Sequence, residues 1–85
     1  MSEQEIGRVT HYFGKIGVVA FDITAGSIAV GDTLHIKGHT TDFTQPVDSM
    51  QIDGQDVAEA HAGQSVGIRV KDHVRTHDIV YKVVG

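Results

Sequence analysis

Six histidines stand in a chain of 85 residues, beside eleven Asp and Glu and no cysteine. Imidazole with carboxylate is the donor set of zinc and of acid–base catalysis, so spacing decides what these residues can do. His73 and His77 flank a turn with Asp72 and Asp78 beside them, and His35 and His39 lie near an earlier loop. A two- or three-ligand site is geometrically conceivable there, but no spacing matches a structural zinc pattern. The expectation is no metal and no cofactor. Gly63-Gln64-Ser65-Val66-Gly67 matches the G-x-S-x-G of a nucleophile elbow. That elbow needs a helix after its serine and an α/β scaffold, whereas here a strand follows. Ser65 is therefore not read as a nucleophile. Gly26 to Thr33 has the glycine spacing of a phosphate-binding loop, yet Asp32 stands where the lysine should and a strand follows. No carboxylate pair at catalytic spacing is identifiable. The chain is expected not to be an enzyme.

The elements that must carry these residues follow from composition. A chain this short buries only about 60–65% of its unfolded surface, which leaves room for one core. Ten glycines, a single proline and many Val, Ile and Thr point to strands and tight turns. The net charge is −4, and Arg8, Lys15, Lys37, Arg69, Lys71, Arg75 and Lys82 are scattered. Duplex nucleic acid requires a basic face, so no DNA partner is expected. The patch around Arg69, Lys71 and Arg75 reads as solvated surface. The acidic start has no apolar run, and no 18-residue apolar stretch occurs. The expectation is a cytoplasmic protein with no signal peptide and no membrane contact.

Along the chain, residues 1–4 are expected to be flexible, and residues 5–85 form one domain. Strands are expected over Ile6–Phe13 and Ile16–Ile23, joined by a two-residue turn at Gly14-Lys15. Gly26 and Gly31 hinge a link that swings the chain between sheet edges, with Asp32 bonding nearby backbone N–H groups. Leu34 and Ile36 then point in. From Phe43 to Ile52 the inward phase changes, which a β-bulge near Asp48-Ser49 would repair, with Pro46 at an edge position or near that bulge. A turn at Asp53-Gly54-Gln55, a short strand over Val57–Ala60 and a corner at Ala62-Gly63-Gln64 follow. Val66, Ile68 and Val70 face inward, and Ile79, Tyr81 and Val83 close the sheet. Tyr12 is the best outward aromatic, on the face of Arg8 and Thr10. The fold expected is all-β, a small closed six- to seven-stranded antiparallel β-barrel.

Gly7-Arg8-Val9, Gly17-Val18-Val19, Gly26-x-Ile28-x-Val30-Gly31-Asp32, Val47-x-x-Met50 and Glu59-Ala60-x-Ala62-Gly63-x-x-Val66-Gly67 occur in order. Together they resemble domain 2 of the translational GTPases, the β-barrel of elongation factor Tu and its relatives, over almost the whole chain. Gly38 to Phe43 and Ser49 to Ile52 resemble small free-standing translation elongation factor-like proteins. The resemblance implies a barrel that holds the aminoacyl end of tRNA and touches the ribosome, without a GTPase domain. By position it assigns the terminal-adenine contact to Asp48, the aminoacyl contact to Ser65 and the rRNA-facing hairpin to Gly14 and Lys15. Tyr12 completes the expected binding residues. The function implied is a non-enzymatic module contacting tRNA, the ribosome or a translation-related protein. The alternative is a protein-interaction or dimerisation module supporting a separate RNA-modifying or peptidase-like enzyme, which the acidic charge balance suits better.

Overall fold

The computed structural model describes residues 2–84. These residues form β1 (Ser2–Phe13), β2 (Val18–Ile23), β3 (Ser27–Ala29), β4 (Thr33–Lys37), β5 (Asp42–Pro46), β6 (Met50–Ile52), β7 (Gln55–Val57), β8 (Glu59–His61), β9 (Ser65–Arg69) and β10 (Ile79–Val84). Eight strands make one antiparallel sheet in the order β5-β4-β10-β1-β2-β9-β6-β7, while β3 and β8 pair as a separate ribbon. The all-β antiparallel expectation therefore holds. The expected closure of six or seven strands does not, because β5 and β7 end the sheet unpaired with each other among the described residues.

The excess of strands comes from β3 inside the Gly26–Gly31 link and from two breaks in stretches read as single strands, Phe43–Ile52 and Val57–Ala60, the latter divided between β7 and β8. The Phe43–Ile52 stretch is not one bulged strand. Val47 turns into the core, its N–H donating to Asp32 O (2.8 Å) and its carbonyl accepting from Gly31 N (2.9 Å). The chain thereby leaves β4 after Pro46 and re-enters beside β9 at Met50, which restores the inward phase without a bulge. Pro46 sits on an edge strand, where its missing N–H does no harm. Asp53 and Gly54 both have positive φ (52° and 78°), as a two-residue type I′ turn requires, so β7 starts at Gln55.

Among the described residues, sixteen buried apolar side chains form one contiguous core. Alternation places them there: Val19, Phe21 and Ile23 from β2, Leu34 and Ile36 from β4, and Val66 and Ile68 from β9. Each such burial contributes about 1.5–3 kcal/mol. The Gly26–Gly31 link behaves as its residues demand. Both glycines have positive φ (72° and 99°), and the Asp32 carboxylate accepts the Ala29 N–H at 2.8 Å.

Three local expectations are corrected. The β1–β2 connection is a four-residue turn, Gly14 to Gly17, in which Gly17 rather than Gly14 takes positive φ (66°). In β1 the register slips between Val9 and His11, so Tyr12 lies half-buried against the core and Phe13 is the exposed aromatic, at 45%. In β10 the buried residue is Val80, while Ile79, Tyr81 and Val83 are half-buried. Ser2, Glu3 and Gln4 are exposed but paired with Val84, Val83 and Lys82.

A side chain bridges what the strand ladders leave apart. Gln45 of β5 is buried, its Nε2 donating to Arg69 O (2.9 Å) and its Oε1 accepting from Lys71 N (2.8 Å). The carboxamide thus pairs with the end of β9 as a backbone peptide would. Replacing Gln45 by Met strands both partners for about 2–3 kcal/mol, which lowers Tm by about 10–20 °C in a domain of this size. Thermal unfolding checks this, and an unchanged Tm would discard the bridge as a stabilising contact.

Candidate functional site

Two polar clusters lie on the outer face of the sheet. The first centres on His35, whose strand β4 runs between β5 and β10. Its Nδ1 meets Glu3 Oε2 at 2.6 Å and its Nε2 meets Asp42 Oδ1 at 2.5 Å. A neutral imidazole has one N–H, so satisfying both carboxylates requires the doubly protonated ring. The hydrogen bond to Asp42 raises the His35 pKa above 6.5 against the opposing effect of burial, and Glu3 adds to the rise. The same bond lowers the Asp42 carboxyl below 3.8. Lys37 also acts on Asp42, and the Tyr81 ring of β10 lies 6.0 Å from the imidazole. This cluster clips β1, β4 and β5 together.

The second cluster surrounds a cavity of about 600 Å³ over β1 and β2. Strand β1 has a register shift on each side of it, between Glu5 and Gly7 and between Val9 and His11. Bulges re-aim side chains and concentrate beside functional sites. Between them Arg8 faces Asp22 across the strands, and Asp22 Oδ1 accepts the Ser65 hydroxyl. No carboxylate approaches the Arg8 guanidinium within ion-pair distance among the described residues. The opposite rim is Thr76 and His77. His77 has φ of 77°, a conformation that costs a residue with a Cβ about 1–2 kcal/mol. Its N–H donates to Val9 O (2.9 Å) and the next N–H to Arg75 O (3.2 Å), so neighbouring bonds hold the strained turn.

The residues expected to bind fall in three places. Asp48 is exposed in the Val47–Ser49 break, beside a depression of about 270 Å³ shared with Gln45, Arg69 and Lys71. Ser65 lies at the other end of β9, about 13 Å from Arg69 by strand pitch, and is occupied with Asp22. Gly14 and Lys15 are exposed in the β1–β2 turn, with Tyr12 edge-on to His73 at 4.8 Å. Asp48 and Ser65 therefore share no pocket, and the hairpin trio is a separate group. Of the histidine pairs, His35 is held by carboxylates and His73 by Tyr12. No group of three or more His, Cys, Asp or Glu that could hold a metal occurs among the described residues. Sequence reasoning passed over Arg8 and Asp22. The one available signal was His77, at a turn position that suits glycine.

This architecture is a small antiparallel β domain that recurs in solved structures. It superimposes on the C-terminal domain of a Geobacillus thermoleovorans putative U32 peptidase with a TM-score of 0.88 at 21% identity, covering 95% of this chain and 93% of that one. A selenomethionine variant of that domain matches with a TM-score of 0.84, over 91% and 96% of the two chains. At this identity the likeness defines the fold. Sequence similarity adds particular relatives. The chain is 36% identical over 78 residues to a protein named collagenase from Porphyromonas gingivalis, and 38% identical over 78 residues to an uncharacterized protease of Methanocaldococcus jannaschii. In both cases the match covers 91% of this chain but only 22% and 19% of the relative, so the chain spans about a fifth of their length. No family model matches.

These findings overturn the resemblance to translation factors, because the relatives are named for peptidases. The glycine and apolar spacings that carried it are requirements of short antiparallel strands joined by tight turns, and they do not specify a partner. The translation roles inferred from it lose their support, and the expectation that the chain is not an enzyme is overturned by relatives named collagenase and protease.

Two outcomes follow from the clusters. His35, with a raised folded pKa, stabilises fully below its ordinary value of 6.5 and loses that contribution as pH rises through the folded value. Asp42, with a lowered one, stabilises above 3.8 and loses it as pH falls. The Tm difference between the native chain and His35→Gln is therefore largest between the two ordinary values, 3.8 and 6.5, and shrinks as pH rises beyond the upper one. Melts across pH check this, and a pH-independent difference would contradict the clip. His77→Gly relieves the strained φ and raises stability by about 0.5–1 kcal/mol after the entropy cost of glycine. Denaturant unfolding measures it, and a destabilised variant would mean that the imidazole contributes more than the strain costs.

Proposed function

We propose that this chain is an accessory domain of a peptidase-related system, a protein-interaction module that acts together with a peptidase-like enzyme. The observation that carries this reading is the way the similarity is distributed. Nearly the whole chain matches, at 36–38% identity, about a fifth of much longer proteins named collagenase and protease. The U32 peptidase fragment with the same fold is a C-terminal domain, which supports the view of a unit accompanying a larger region. The acidic balance, with a net charge of −4, favours a protein partner over a polyanion. A barrel-like roll of the sheet belongs to the same reading, supported by the Gln45 bridge and by Val47 pairing with Gly31 and Asp32.

The test is a chimera. In the Porphyromonas gingivalis collagenase, the matching 78-residue segment is either deleted or replaced by this chain, and peptidase activity is measured. Deletion should reduce activity by about tenfold or more, and the replacement should recover most of the loss, a recovery worth about 1.4 kcal/mol. A chimera no better than the deletion would refute the proposal.

A further inference from the structure

We infer that the cavity between the two bulges of β1 is a binding site for the carboxyl-terminal residue of a peptide. The choice of a peptide, rather than another carboxylic acid, rests on the accessory role proposed above. The site itself rests on independent features. Two register shifts in one strand splay the Glu5–His11 segment. A left-handed histidine is held at the rim by hydrogen bonds from its own and the next N–H, although glycine would occupy that turn without strain. Conformations of this kind persist where the surrounding structure enforces them, and they cluster at ligand sites. The volume, about 600 Å³, is in the range of small-ligand pockets.

The lining selects the ligand. Arg8 contributes a planar cationic fork with no carboxylate partner among the described residues, and such a fork recognises a carboxylate through two parallel hydrogen bonds. The hydroxyls of Thr10 and Thr24 donate inward, to Ala20 O (3.2 Å) and Ile6 O (3.4 Å), which leaves their oxygens free to accept. Asp22 and Glu5 add acceptors at the margin, and Val9 contributes an apolar floor. A cationic fork surrounded by acceptors complements a carboxylate adjacent to an amide N–H, the pairing found at a peptide C-terminus. A phosphate dianion would meet the same fork but, with twice the charge of a carboxylate, would be repelled about twice as strongly by Asp22 and Glu5. His77 stands opposite Arg8 as a second donor.

The test titrates the 15N-labelled chain with N-acetyl-trialanine as the free acid, with its C-terminal amide, and with acetate, following amide chemical shifts. The free acid should shift Arg8, Thr10, Asp22 and His77 saturably, the amide should bind at least about tenfold more weakly, and acetate at equal concentration should shift none. Arg8→Gln, with the rest of its spectrum preserved, should lose at least about tenfold in affinity, and Arg8→Lys should recover part of it. No saturable shift, equal binding by acid and amide, equal shifts with acetate, or undiminished affinity in Arg8→Gln would each overturn the inference. The collagenase chimera separates the two ideas. An active chimera whose cavity binds no peptide refutes the cavity alone, and peptide binding with an inactive chimera refutes the accessory role alone.

Discussion

The sheet depends on one carboxamide. Strand ladders connect β5 to β7 in a single series, and nothing in that series returns β5 to the other side. Gln45 does so, with both of its polar atoms used on the backbone around Val70. In a buried setting a half-satisfied amide is costly, so the bridge is made in full or the region opens. Val47 reinforces it from the main chain by joining Asp32 and Gly31. Together these contacts set where β5 stops, and they hold Val47 and Met50 in the core.

Against that constrained side, β1 is where regularity is given up. It is the longest strand and lies at the middle of the sheet order, between β10 and β2. Its two register shifts carry opposite consequences for its residues. Tyr12 is turned toward the core, Phe13 outward, and Arg8 is left facing a cavity. At Gly7 an added Cβ would collide with the Asp22 carbonyl, so only glycine fits where the strand passes its neighbour just before the cavity. The clip of His35, Glu3 and Asp42 anchors the start of the same strand to β4 and β5.

Much of this was legible in the residues, and the illegible parts share a cause. Alternation placed Val66, Ile68 and Leu34 correctly, because one face of a strand must be apolar whatever it pairs with. Gly26, Gly31 and Asp32 announced their link through conformations that other residues reach only with strain. The shift between Val9 and His11 leaves no mark on periodicity, since it depends on which strands flank β1. The partners of His35 lie 32 residues before it and 7 after it, Glu3 on β1 across the intervening β10 and Asp42 on the neighbouring β5. The same limit explains the mistaken kinship. Glycines at fixed offsets report the turns of an antiparallel sheet, and a fold of that class hosts unrelated functions.

The position of β10 has a consequence for how the molecule is made. Ile79–Val84 is the last strand in sequence among the described residues, yet it lies between β4 and β1 and hydrogen-bonds to both. Until that segment leaves the ribosome, the early strands have a gap at the centre of their sheet, and β1 and β4 each present an open edge. Contacts so distant along the chain close slowly, because the entropy of a long loop is lost before the pairing is gained. The domain therefore completes itself only after its last residues are synthesised, and the nascent strands depend on β10 to cover edges that would otherwise attract other chains.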